Sequence, residues 1–376
     1  MDLGLSEEQE MIKKSARDFL DKECPKSLVR AMEEDNKGFS PDVWKKMADL
    51  GWMALPFSDK YGGTGNSFLD LCVLIEEHGR ALLPGPFFST VVLCGMPIQQ
   101  FGSDDQKKKH LSRIANGQEI WIYAQTEPSA TWEASGVELK ATAQGSDYVL
   151  DGTKLFIPYG GTADYLLVVA RTKAGKGEDG ISLFIVDAKA QGIKYEALKT
   201  IASDHQVEIT FKGVKVPKAN LVGKENQGWA IVKKIDELGA AGKCAEMVGG
   251  AQKVLEMSVD YAKQRVQFGR PIGSFQAIQH HCANMVTDVD GSRYIAYEAI
   301  WRASEGLDAS KEVSMAKAWV SDAYRRVCAL GHQIHGGIGF TKEHDMQLYF
   351  RRAKAAELAF GDADFHRELV AQQLGI

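Results

Sequence analysis

The sequence predicts an α+β chain of several domains: helical at its N-terminal end, β in the middle, and helical again to the C-terminus. Apolar residues recur at helical spacing before about residue 118 and after about residue 226, and between these stretches β-branched and aromatic residues crowd into short runs bounded by turn residues. A length of 376 residues exceeds one ordinary core and suits two or three domains. The expected division is an N-terminal α-helical domain over residues 1–118, a middle β domain (barrel or sandwich) over 119–225, and a C-terminal α-helical bundle over 226–376.

The first helix announces itself with Ser6 and, three residues later, Gln9, the form of a capping box; Met11, Ile12, Ala16, Phe19 and Leu20 follow at helical spacing. "PDVWKKMADLGWMAL" and "FLDLCVLIEEHGRALL" continue the pattern, with "PFSDKYGGTGNS" as a glycine-rich loop between them. From Ile120 the character changes. "IWIYAQTEPSA", "YVLDGTKLFIP", "DYLLVVART", "GISLFIVDA" and "VEITFKGVKVP" read as strands, with Asp151-Gly152 as a hairpin turn signal. Beyond Leu221 the helical period returns, and Met247, Val248, Ala251, Val254 and Leu255 share one face.

Hydrophobic residues at 44% and charged residues at 25% make a globular balance. A net charge of -5 and a pI near 6.0 exclude a nucleic-acid footprint, leaving small molecules or proteins as partners. The N-terminus "MDLGLSEEQEMIKK" carries acids where a transit peptide carries Arg and Ser, and no run approaches the roughly 18 apolar residues of a membrane span. The six cysteines contain no CxxC and read as free thiols of a reducing compartment, so a cytoplasmic location is expected.

Several chemistries lack their motif. There is no GxxxxGK[ST], no strand-GxGxxG-helix unit and no GxSxG elbow. His280-His281-Cys282 and the pair His332 and His335 have no metal-ligand spacing, so no metal site is expected. Three clusters stand out instead. "YAQTEPSA", Tyr123 to Ala130, ends a strand in a polar loop that could offer N–H groups and a Thr hydroxyl to a planar ligand, although alone it reads as a turn. "RVQFGRPIGSFQ", Arg265 to Gln276, closes a long helix and turns through Gly269 and Pro271. Arg265 there suits a pyrophosphate by charge-assisted bidentate bonds, and equally suits a solvated helix end. "HQIHGGIGF", His332 to Phe340, sets three glycines behind a helix, either for close backbone approach to a ligand or as a simple helix stop.

Taken together and in this order, the clusters resemble the acyl-CoA dehydrogenase family of flavoproteins: "YAQTEPSA" its AxTEPxAGSD stretch, "RVQFGRPIGSFQ" its RxxFGxPxxxxQ stretch, and "QIHGGIGF" its QxxGGxGF stretch. The resemblance covers nearly the whole chain and implies that family's fold, with a C-terminal four-helix bundle. It also implies FAD held without a Rossmann unit, and α,β-dehydrogenation of an acyl-CoA thioester. In that reaction a carboxylate takes the α-proton while the β-hydride goes to flavin N5. Tyr123, Thr126, Phe156 and Ile157 match flavin contacts made within one subunit. Arg265, Gln267, Phe268, Gln276, Gln333, Ile334, His335, Gly336 and Gly337 match the stretches that reach the adenosine and pyrophosphate of a flavin bound mainly to a neighbouring subunit. A dimer or tetramer is therefore implied, with electron-transferring flavoprotein as the electron acceptor.

The resemblance breaks at the catalytic base. The family's C-terminal Tyr-Glu-Gly-Thr aligns with "AFGD", which puts Phe360 at the Glu position and Asp362 at the Thr position. Its alternative Glu-Arg falls on Gly239 and Ala240. The family's Gly-Ser-Asp becomes "TWE", with Trp132 near the Ser position, and its Trp-Ile-Thr/Ser becomes Phe156-Ile157-Pro158. Three readings follow. The chain is a dehydrogenase with a displaced base, for which Asp362, Glu357 and Asp236 are candidates and Glu237 points away; each has an ordinary solvated carboxylate as its alternative. Or it is the base-less, FAD-holding subunit of a heteromeric acyl-CoA dehydrogenase whose homologous partner supplies the Glu. Or it is a flavin or acyl-CoA binding module without turnover.

Overall fold

The structure is a computed structural model that describes residues 4–376. Its contacts gather into two compact units: one comprises the residues up to Val29, Phe68–Leu83 and Ala240–Ile376, and the other comprises Arg30–Ser67 and Pro84–Gly239.

The first unit is helical. Its opening helix, Glu7–Glu23, starts from the predicted capping box, with Gln9 N–H donating to Ser6 Oγ at 3.2 Å and Ser6 N–H to Gln9 Oε1 at 3.0 Å. The buried stripe is narrower than the spacing suggests: Ala16 and Leu20 are buried, whereas Met11 is 67% exposed. Most of the long helix Trp229–Gln264 belongs here, and the face Met247, Val248, Ala251, Val254 and Leu255 is buried as its period predicts. The helix Ser310–His335 packs on Gln276–Ser304 and on Met346–Leu358, and the terminal helix Ala363–Leu374 adds a further layer against it.

The second unit is built on strands β1 (Trp121–Ala124), β2 (Lys140–Gln144), β3 (Asp147–Pro158), β4 (Tyr165–Arg171), β5 (Ile181–Asp187), β6 (Ile193–Ala197), β7 (Gln206–Pro217) and β8 (Leu221–Val222). They form one sheet in the order β6-β7-β3-β2-β4-β5-β8, with β1 parallel to β4. Alternate residues such as Tyr148 and Leu150 of β3 and Ile209 and Phe211 of β7 enter a single apolar core.

Asp151-Gly152 does not turn the hairpin. The chain reverses at Gly145-Ser146, where Gln144 pairs with Asp147 and Gly145 takes φ +59°. Gly152 instead sits inside β3 at a bulge, paired with Phe211, and a Cβ there would lie 2.8 Å from Leu139 Cα. Close backbone approach, not a turn, requires the glycine. Asp151 Oδ1 accepts the Gly213 N–H at 2.8 Å across the same irregularity.

One ion pair ties the strand ends of this unit. Lys154, fully buried on β3, donates to Glu127 Oε1 at 2.7 Å and to the Gln125 carbonyl at 2.8 Å. Burial pulls the lysine pKa down and Glu127 pulls it back up. Glu127 also accepts the N–H groups of Glu138 (2.8 Å) and Leu139 (3.0 Å to Oε2), so its carboxylate has no spare capacity. Glu127→Gln removes one charge of a buried pair and strands the other. Urea unfolding of the variant is expected to show a loss of about 3–5 kcal/mol, and a loss under about 1 kcal/mol would mean the pair does not bear on stability.

Candidate active site

In the second unit the site begins where β1 ends. Tyr123 lies in β1 and Gln125 directly follows the strand's last residue, Ala124. The Tyr123 N–H donates to Ser89 Oγ at 2.9 Å, which fastens β1 to the π-helical stretch Ser89–Gly95. Gln125 Nε2 donates to Asp236 Oδ2 at 2.9 Å, and Asp236 stands in the second turn of the long helix, one turn before Gly239. Among the described residues, three enclosed atoms here find no hydrogen-bond partner: the Tyr123 hydroxyl, Gln125 Oε1 and Asp236 Oδ1. Burial pushes the Asp236 carboxyl up to about 7, against the lowering effect of the Gln125 hydrogen bond. The Tyr123 phenol is driven well above its ordinary value by burial and then by Asp236.

Thr126 is half-buried, and its carbonyl accepts the Leu155 N–H at 2.8 Å, so the "TEP" loop and the "KLFIP" strand are held together. Between Lys154 and Ile157 the register of β3 slips, and Phe156 adopts φ +56°, a costly value for a bulky residue. The bulge turns the Phe156 ring outward to 47% exposure, while Lys154 and Ile157 both point inward. Ile157 is core, so its backbone alone can face a ligand.

In the first unit the predicted turn after Arg265 is a small hairpin, β9 (Val266–Gln267) and β10 (Arg270–Pro271), turned by Phe268 at φ +54° and Gly269 at φ +78°. Arg265, Gln267 and Gln276 are exposed, and Phe268 is 91% exposed. The second cluster stands beside the first because the His335 ring stacks on Tyr261 at 4.5 Å. Ile334 and His335 are buried, and His335 Nδ1 is hydrogen-bonded to the Gly331 carbonyl at 2.8 Å, so the Ile334 side chain and the His335 Nδ1 offer a ligand nothing. Gln333, Gly336 and Gly337 are exposed. A Cβ at Gly337 would meet nothing within 4 Å, and its φ does not demand glycine, so nothing among the described residues requires glycine there. That open space suits close approach by a group from outside the chain.

The first unit also contains the "LAFGDADFHRE" stretch. Phe360, at φ +58°, and Gly361 make a tight corner between Met346–Leu358 and Ala363–Leu374, and buried donors lock it. Lys317 Nζ donates to the carbonyls of Glu357 (2.9 Å) and Gly361 (2.8 Å), and His366 Nε2 to that of Phe360 (2.8 Å). Burial lowers Lys317 to about 8 and His366 to about 4. Two base candidates are occupied here. Asp362 is the N-cap of the last helix, accepting the Phe365 N–H at 2.9 Å, and Glu357 is paired with Lys354 at 3.0 Å and faces Arg325 at 4.0 Å.

Three family models match the chain: acyl-CoA dehydrogenase N-terminal domain over residues 6–118, middle domain over 123–214 and C-terminal domain over 226–375. The chain belongs to the acyl-CoA dehydrogenase family. These proteins are FAD-dependent oxidoreductases acting on CH–CH groups. Among its relatives, the caffeyl-CoA reductase-Etf complex subunit CarC of Acetobacterium woodii is 32% identical, with 98% of each chain covered. Butyryl-CoA dehydrogenase from Megasphaera elsdenii has the same fold at a TM-score of 0.93 and 32% identity, with 100% of each chain covered. The FAD complex of PigA matches at a TM-score of 0.91 and 27% identity, covering 100% of this chain and 99% of that one.

Within the family frame, Gln125, Lys154 and Lys317 are the residues that sequence reasoning passed over. Gln125 had a signal, its place inside the "YAQTEPSA" stretch two residues beyond Tyr123; the two lysines had none.

Two stability measurements follow from this geometry. Native Asp236 keeps its proton between its ordinary 3.8 and about 7 while the unfolded chain does not, so its contribution falls as pH rises through that window. Asp236→Asn is therefore expected to be more stable than the native sequence at pH 8 by about 2 kcal/mol or more and to lose this advantage near pH 4; parallel urea profiles at the two pH values would contradict it. Lys317→Met leaves two buried carbonyls without their donor, and a loss of about 2–4 kcal/mol is expected by the same method.

Proposed function

We propose that the chain moves hydrogen between the α and β carbons of an acyl-CoA thioester with FAD as its cofactor. The observation that carries this reading is the set of three enclosed, unpartnered polar atoms on Tyr123, Gln125 and Asp236, beside strand ends pinned by Lys154. Buried polar groups are normally satisfied, and a site left open in this way is built for a ligand. When bound, FAD supplies the acceptor for the β-hydride.

The chain's own residues hold, orient and enclose. Tyr123, Thr126, Phe156 and the backbone of Ile157 would line the flavin ring. Arg265, Gln267, Phe268, Gln276, Gln333, Gly336 and Gly337, with the backbone of Ile334 and His335, would hold the adenosine and pyrophosphate of a flavin seated mainly in a second subunit. The bare Phe268 tip supports this, because an exposed phenylalanine at the end of a hairpin is covered at low cost by another chain. The working unit is a dimer or tetramer. Electron-transferring flavoprotein is the electron partner, a role supported by the Etf complex named for the Acetobacterium relative. That relative's name is also a reductase name, and the same residues serve either direction, since a group that accepts the α-proton in oxidation returns it in reduction.

A second reading is favoured by one observation: the corner that carries the family's Glu position holds Phe360 and is locked by Lys317 and His366. In that reading the chain is the FAD-holding member of a heteromer, and a homologous subunit supplies the base. The purified chain is expected to be yellow and its flavin to be bleached anaerobically by an acyl-CoA from a chain-length and ring-bearing series. A colourless chain that takes up no added FAD contradicts both readings. Bleaching that needs a co-expressed homologue with Tyr-Glu-Gly-Thr or Glu-Arg supports the second.

A further inference from the structure

We infer that Asp236 is the residue that exchanges the α-proton, and that Gln125 is the positioning residue that aims it. This rests on the acyl-CoA reading above and assigns its missing base to this chain. The two carboxylate oxygens of Asp236 are not equivalent: Oδ2 is fixed by Gln125 Nε2 at 2.9 Å, and Oδ1 is enclosed and free. A carboxylate held by one oxygen and open at the other is arranged to take a proton in one direction. The other acids near the family's two base positions are committed. Asp362 caps a helix, Glu357 is paired with Lys354, and Glu237 is paired with Lys234 at 2.6 Å.

The surroundings also suit proton transfer. Among the described residues, Asp236 acts on Tyr123 of β1, and Tyr123 is also acted on by Cys94 of the π-helical stretch; burial raises both Tyr123 and Cys94 so that they stay neutral. On the helix itself Lys234 and Glu237 neutralise each other. Among the described residues no cation acts to hold Asp236 ionised, and its raised pKa makes it a base that can also return the proton near neutral pH. In the oxidative direction an Oδ1–H bond forms as the α C–H bond breaks. The released electron pair would become the Cα=Cβ bond as the β-hydrogen departs with its own pair, and FAD, when bound, would supply the two-electron acceptor that balances the step.

The test uses the FAD-loaded chain, its Asp236→Asn and Gln125→Leu variants, and an acyl-CoA that bleaches the native flavin. Asp236→Asn should stay yellow and lose the bleaching rate by about 100-fold or more. The native rate should rise with pH through a midpoint near 7, and Gln125→Leu should move that midpoint upward, because the hydrogen bond it removes lowers the carboxyl. Independently of turnover, carbon-13 NMR of aspartate-labelled protein should show one carboxyl titrating near 7 that is absent from Asp236→Asn. A yellow Asp236→Asn variant that bleaches within about threefold of native would overturn the assignment while leaving the proposed function standing, as would bleaching that depends on a second subunit and ignores Asp236. A carboxyl titrating at the ordinary value of 3.8 would also overturn it.

Discussion

The buried ammonium of Lys154 is the contact on which the arrangement of the second unit's site depends. It bridges the Gln125 carbonyl and the Glu127 carboxylate, and so fixes where β1 stops and how "TEP" lies against β3. Such a pair stabilises little in net terms, because desolvating two charges offsets most of their attraction. What it supplies is position: Lys154 holds Gln125's backbone, and the Gln125 side chain reaches Asp236. The outward turn of Phe156 belongs to the same constraint, since the bulge lets Lys154 and Ile157 both face inward while the residue between them is left strained and exposed.

The corner at Phe360 shows a different use of buried cations. Lys317 and His366 donate to three main-chain carbonyls around it, Asp362 caps the following helix, and a Cβ at Gly361 would run into the Phe365 ring. Lys317, Asp362 and the Nε2 of His366 are spent on holding the backbone, and the His366 Nδ1 is enclosed without a partner among the described residues. The corner is held mainly as structure. Asp236, in the other unit, presents an enclosed carboxylate oxygen with no partner among the described residues.

Much of this was readable from local pattern. The capping box at Ser6 and Gln9, the buried face from Met247 to Leu255 and the turn at Phe268-Gly269 are each set within a few residues, where periodicity and turn chemistry act. The failures share a cause. Asp151-Gly152 has the sequence of a turn, but Leu139 on another segment decides that the glycine makes a close approach instead. Lys154 meets Glu127 across 27 residues and Gln125 meets Asp236 across 111, so neither pair leaves a spacing that a sequence reader could count. Asp362 and Glu357 looked as available as Asp236 because a cap and an ion pair are visible only once the helices around them are placed.

The most direct measurement is a structure of the FAD-loaded chain with a thioether analogue of an acyl-CoA, which binds but cannot react. The account predicts Asp236 Oδ1 within about 3–3.5 Å of the carbon that corresponds to Cα, with the Gln125 hydrogen bond intact. A bound analogue whose α-carbon faces a carboxylate from a neighbouring subunit, with Asp236 turned to water, would contradict it.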